Sequence, residues 1–389
     1  MMTKHRVTFI LVAAIALLVS FWLTSDNPID HPAAKKASST NTEKPTSSSS
    51  KVASTFSQPE LTTIEPTSDM ANASIKKCNL LDIAVILSQI TSDDYQQVVE
   101  SQQQEFESGI AQQTSFEDQL ISFAITPQNK NSDLNQQLLS FAMDNPDSKL
   151  AFYLAQGACM SGDPTPTCDR LFEQQINVDS DNGLLWVGKA GYYLRNNNTE
   201  KAEQALAVAA QANFFSDYHF EFIELFNQAH QQHVQSTTEF NTSINYVSAL
   251  GYVSALPAYF GSAISYCHQV SNIDVVLNDI CFELGSAMAT RGKTLFINSM
   301  GSSLMETIYQ DRQDEEQAKI IAQQREQLLT HQTSSDIEDS LKLLLLDDEL
   351  QQYWINAGKA LGEKDAQLKL VEEIKIKSQN PSYNPCSLR

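Results

Sequence analysis

The chain has 389 residues, 47 acidic and 26 basic, for a formal charge of −21. A field of that sign repels phosphate backbones and anionic lipid, which excludes nucleic-acid binding as a working class. Six cysteines, an even set, and 42% hydrophobic residues are compatible with a sizeable core tied by disulfides.

Lys4, His5 and Arg6 precede an apolar run from Val7 to Leu23. At 17 residues the run is at the low end of what spans a bilayer core. Positive charge before it, with Asp26 and Asp30 after it, gives an N-inside, C-outside orientation. The run ends in Phe21-Trp22-Leu23, a poor cleavage site and an interface-type aromatic end. Residues 1–6 are therefore expected to be a cytoplasmic stub and 7–23 a signal anchor in a bacterial inner membrane, with the main domain in the periplasm. The alternative is a cleaved signal and a soluble periplasmic or secreted protein. Residues 24–75 are rich in Ser, Thr, Pro and Lys, with Ser47 to Ser50 at their centre. With so few large apolar residues the segment cannot offset the entropy of ordering, and it reads as a disordered linker. About 50 such residues have an r.m.s. span of roughly 40 Å.

Residues 76–389 carry apolar periodicity throughout and read as an all-α domain. Asn79 to Ile90 is an apolar helical stretch. Thr114-x-x-Glu117, Ser236-x-x-Glu239 and Ser335-x-x-Glu338 are capping boxes that open helices. Lys293 to about Leu329 reads as one long helix, and Leu343 to Leu346 as a buried helix face. No segment alternates apolar and polar residues as a half-buried strand would.

In the middle of the chain, Trp186, Ala190, Tyr193, Ala202, Leu206 and Ala209 follow one another at spacings that let two helices pack closely. Small residues at 190 and 202 allow the approach, and Trp186, Tyr193 and Leu206 fill around them. Asn196 to Thr199 makes the turn, with Asn198 or Thr199 as N-cap. This pattern resembles a tetratricopeptide (TPR) repeat, in degenerate form, over roughly 150–214, with the repeat region extending from about 147. Phe214 stands where the closing Pro usually sits. The resemblance implies helical hairpins stacked in an α-solenoid-type array and a groove for protein or peptide partners. On that reading Lys189 and Tyr192 are groove candidates. The layout otherwise resembles that of a bacterial envelope protein.

In an exported chain the cysteines read as disulfides. Cys159 and Cys168 flank one short turn, and Cys267 and Cys281 another. Cys78 and Cys386 remain as a third pair by elimination. No Cys-x-x-Cys or His-Glu-x-x-His occurs, and no metal, cofactor or catalytic residue is assigned. His230 and His233 are the only histidines of the 219–233 stretch close enough to share a metal, and two such ligands are common by chance. Ala287 to Thr294 is one Gly short of a phosphate-binding loop, but it follows a helix rather than a strand.

Two functional classes follow. The first is a membrane-tethered periplasmic helical-repeat protein that binds an envelope protein or peptide without catalysis. The alternative is an envelope enzyme of hydrolase type with a helical fold, which would require a deep pocket with converging Asp, Glu or His.

Overall fold

The computed structural model describes residues 93–126, 132–161, 165–235, 241–254, 260–270, 274–332 and 335–383. The anchor at 7–23, the linker at 24–75, the stretch 79–90, Ser236, Cys78 and Cys386 lie outside them. Among the described residues no helix is long and apolar enough to cross a membrane.

Sixteen helices and no strand occur among the described residues. They are α1 (Asp93–Ile110), α2 (Phe116–Ile125), α3 (Ser132–Asp144), α4 (Lys149–Ser161), α5 (Pro166–Asp179), α6 (Gly183–Arg195), α7 (Thr199–Ala210) and α8 (His219–His233). There follow α9 (Asn241–Ser254), α10 (Gly261–Val270), α11 (Val275–Arg291), α12 (Leu295–Asp311), α13 (Glu315–Gln332), α14 (Ser335–Leu343), α15 (Asp348–Leu361) and α16 (Glu363–Ser378).

Most starts are fixed by side chains that satisfy the otherwise unpaired first-turn N–H groups. Asn198 accepts from the Lys201 N–H, Asp274 from Val276 and Leu277, and Asp347 from Leu350. Thr165 caps α5, with Pro166 at its first position, where the missing N–H costs nothing.

Three local expectations are corrected. The cap of α2 is Ser115, not Thr114. Ser115 accepts the Asp118 N–H, and its hydroxyl donates to Asp118 Oδ2 at 2.6 Å. Asp118 is also bound to His233 at 2.7 Å, so a tertiary partner selects the register of the cap. The long helix from Lys293 is interrupted by Arg312–Asp314. Gln313 adopts a left-handed φ of 60°, and the Asp314 N–H returns to the Tyr309 carbonyl at 2.9 Å. This closes α12 as a Schellman turn does, while Arg312 is drawn to Asn278 and Asp279, each at 2.6 Å. Finally, Leu343 ends α14 and Leu344 to Leu346 form a turn, because Asp347 immediately caps the next helix.

The helices enclose two apolar cores. One gathers large side chains of α1 to α5, α8, α9, α15 and α16, among them Phe106, Phe152, Phe172, Phe222, Phe226 and Trp354. The other lies among α7, α10, α11 and α12 and is built largely of small residues, including Ala202, Ala205, Ala209, Ala263 and Ala287. Helix α6 belongs to both. Leu185 and Tyr192 enter the first core, and Leu184, Val187 and Ala190 the second. Two buried faces leave α6 a single strip toward solvent.

Candidate functional site

That strip is Trp186, Lys189 and Tyr193, at the i, i+3, i+7 spacing that aligns side chains on one helix face. All three are half-buried. The Lys189 ammonium lies 5.2 Å from the Trp186 ring centre and 5.8 Å from that of Tyr193. Lys201 of α7 reaches Tyr193 from the other side at 5.5 Å. Burial, opposed by Glu173, lowers the Lys189 pKa from its usual value. Trp186 Nε1 donates to the Ser180 carbonyl at 2.8 Å, which fixes the ring. Tyr192 is placed differently from its neighbours. It is 3% exposed, its ring lies 5.3 Å from Phe172, and its hydroxyl donates to the Thr165 carbonyl. The groove role assigned to Tyr192 is thus corrected: it packs in the first core, and Tyr193 occupies the outer strip.

Cys159 and Cys168 are joined, as are Cys267 and Cys281, with Cα atoms 5.6 Å apart in each pair. The first bridge staples α4 to α5 and the second α10 to α11.

A second feature forms where four helix connections meet. The segment Phe214–Phe215, between α7 and α8, runs extended and makes single parallel bridges to Asn182 and to Gly292. Its Phe214 carbonyl accepts the Gly183 N–H at 2.7 Å. The Phe215 carbonyl accepts the Lys293 N–H at 2.8 Å, and the Lys293 carbonyl accepts the Glu363 N–H at 2.7 Å. One strand-like stitch thereby satisfies the backbone of the α5–α6, α11–α12 and α15–α16 turns. Gly362 carries φ 91°, and a Cβ there would stand 3.0 Å from the Lys293 carbonyl, so the last of these approaches requires glycine.

Beside the stitch opens a cleft of 280 Å³, lined among others by Lys149, Asp217, Tyr218, His219, Glu221, Lys293 and Lys359. Tyr218 holds a left-handed φ of 58°, a strained conformation for a large aromatic residue, costing about 1–3 kcal/mol. A buried network holds it there. The Tyr218 hydroxyl donates to Asp179 and accepts from Asn182, and its N–H donates to Ser216 Oγ at 3.1 Å. Asn182 also reaches the Ser216 carbonyl at 2.9 Å, and Lys149 lies 3.2 Å from Asp179 Oδ1.

The cleft's acids are shifted by burial. Asp217 is pushed up to about 6, offset only by backbone N–H groups. Glu221 is also raised, and so is Glu363 just beyond the cleft lining, where His219 opposes the effect. Burial holds His219 below the ordinary imidazole value. These groups have structural tasks. Asp217 Oδ1 accepts the His219 N–H at the start of α8, and Glu363 Oε2 accepts the Leu295 N–H at 2.8 Å at the start of α12. The hydroxyls of Ser216, Tyr218 and Thr294 each hold a backbone or side-chain partner.

The histidine cluster separates. His219 faces the cleft, His230 is buried against Phe106 and Phe226, and His233 binds Asp118. Among the described residues no group of three His, Cys, Asp or Glu is placed to hold a metal. Of the phosphate-loop look-alike, Ala287–Arg291 is the end of α11, Thr294 caps α12, and Lys293 is one of the residues that line the cleft. The sequence carries little signal for Asp217 and Lys293. The usable signal for the first was an Asp two residues before an amphipathic helix. The second lies in the phosphate-loop look-alike, which no strand precedes among the described residues.

No family model, curated protein or solved structure matches this chain.

Proposed function

We propose that this protein is a membrane-tethered, periplasmic helical interaction protein of TPR-like build, and that the outer strip of α6 receives a protein or peptide partner. The observation that carries the reading is the Trp186–Lys189–Tyr193 strip with Lys201 beside it. Trp and Tyr are the residue types that dominate binding hot spots, because they bring large contact area with few rotatable bonds. Here they stand on a helix immobilised between two cores, so little entropy is lost when a partner orders them. The enzyme reading has weaker support. The cleft falls below the roughly 300–1,000 Å³ usual for ligand pockets, and Asp217 and Glu363 each accept a backbone N–H at a helix start. The sequence features of residues 1–75 support the tether and the periplasmic location.

The test is a photo-crosslinking side chain placed at Lys189 in the full chain, irradiated in intact cells. A discrete partner adduct is expected, lost when Trp186→Ala and Tyr193→Ala are combined and retained when exposed Lys369 is changed to Gln. Absence of any discrete adduct, together with a metal or substrate that raises the melting temperature, would overturn the reading.

A further inference from the structure

The cleft contains two opposite charges that do not meet. The Asp217 carboxylate receives backbone N–H groups, that of His219 at 3.3 Å, and has no cation within ion-pair distance among the described residues. Lys293 donates to the Ala360 carbonyl at 3.2 Å and likewise has no carboxylate at ion-pair distance there. The other two cleft ammonium groups are engaged, Lys149 with Asp179 at 3.2 Å and Lys359 with Glu224 at 2.6 Å. Asp217 is fixed by its place at the start of α8. Lys293 is fixed by a turn whose N–H and carbonyl are both bonded, to Phe215 and Glu363. Neither group meets a counter-charge among the described residues, and a partly buried charge without one is costly.

The complement of this arrangement is a small molecule of both signs. A simple anion would meet Asp217 and Glu221, and a simple cation would meet three lysines. A volume of 280 Å³ suits a ligand smaller than the drug-sized molecules of typical pockets. We propose that the cleft binds a free α-amino acid as its zwitterion, the ammonium on Asp217 and Glu221 and the carboxylate on Lys293. An ammonium carries three donors, so Lys149 and Lys359 can assist without leaving their partners. The site is distinct from the α6 strip and does not depend on the partner-binding reading.

The test measures the melting temperature and calorimetric binding of the full chain with each common α-amino acid. At least one is expected to raise Tm by about 2–4 °C when present about tenfold above its Kd. Its N-acetyl derivative and its carboxamide each lose one charge and are expected to bind about tenfold or more weakly. Asp217→Asn and Lys293→Gln should each weaken Kd about tenfold or more with far-UV circular dichroism unchanged, while Lys369→Gln leaves it unaltered. The assignment is overturned if no amino acid shifts Tm or if the blocked derivatives bind as well as the parent. It is overturned equally if O-phosphoethanolamine binds and amino acids do not, which would make the site a headgroup site.

Discussion

The two cores of this domain solve the same packing problem with opposite materials. The first is filled by rings: Phe226 alone has Phe106 at 5.0 Å, Tyr252 at 5.3 Å and Phe222 at 6.2 Å between ring centres. The second is filled by backbone brought close, with alanines along α7 and Gly285 against Gly301 where α11 crosses α12. Each has its own disulfide, Cys159–Cys168 in the first and Cys267–Cys281 in the second. A core of rings is sensitive to what is removed from it. A core of close backbones is sensitive to what is added.

Removal of a ring should produce the largest effect. Phe226 is fully buried, so Phe226→Ala is expected to cost about 3–5 kcal/mol, read as a lower urea midpoint. A loss below that range would mean that the aromatic core collapses to refill the space, and the contrast with the second core would weaken.

The first core also contains an ionisable ring, and this makes it responsive to pH. His230 stacks on Phe226 and lies 5.4 Å from Phe106, and burial lowers its pKa to about 4, with Glu105 opposing. The unfolded chain binds this proton near 6.5, the folded chain only near 4, so between those values the unfolded state holds more protons. Stability therefore falls as pH drops from about 6.5 to about 4, by about 3 kcal/mol in all. Asp217, Glu221 and Glu363, with raised values, change stability in the opposite direction over the acid range. The measurement is accordingly the difference between wild type and His230→Phe in urea midpoint across pH 4–7. Parallel curves would show that His230 is not what couples the first core to acid.

The disulfides allow the cores to be weakened by the same chemistry. The bridges span 9 and 14 positions. In the chain-entropy account each contributes about 2.5–3 kcal/mol, the longer loop slightly more. Replacement of each pair by serines, followed by denaturant unfolding, should show similar losses from both cores. A much larger loss from the Cys267–Cys281 pair would identify the small-residue core as the one that needs covalent help.

The same contrast explains what could be read from the sequence. Part of the second core is built by neighbours: Ala190, Ala202, Leu206 and Ala209, all fully buried, lie in the α6–α7 hairpin, and Ala263, Leu284 and Leu304 of α10, α11 and α12 complete the core from farther along the chain. Local spacing is therefore enough to find that hairpin. The first core joins residues more than a hundred positions apart, Phe106 with Phe226 and Phe220 with Trp354, and no local period encodes such pairs. Tyr192 shows the limit directly. The TPR-like pattern predicts that it turns outward, but the ring of Phe172 receives it instead. The cleft was illegible for a related reason. Its charges arrive from α4, the α7–α8 segment, the α11–α12 turn and α15, elements far apart in the chain, and no local period encodes such a meeting.

The mildest test of the contrast adds one carbon to the second core. A Cβ on Gly301 would collide with the Ala289 backbone nitrogen and the Gly285 carbonyl oxygen, neither of which can rotate away. Alanine brings a helix-propensity gain of about 0.5–1 kcal/mol, while overpacking costs about 1–3. Gly301→Ala is thus expected to lose on the order of 1–2 kcal/mol net. Gly285→Ala faces the same crossing from the other helix, but its nearest neighbours stand at 3.0 Å, and one of them is the flexible Met305 side chain. It should cost less than Gly301→Ala, with its propensity gain offsetting part of the strain. Equal urea midpoints for the two variants would mean that the helices slide to share the added volume. The small-residue core would then be as compliant as the aromatic one, and the difference between them would be one of composition alone.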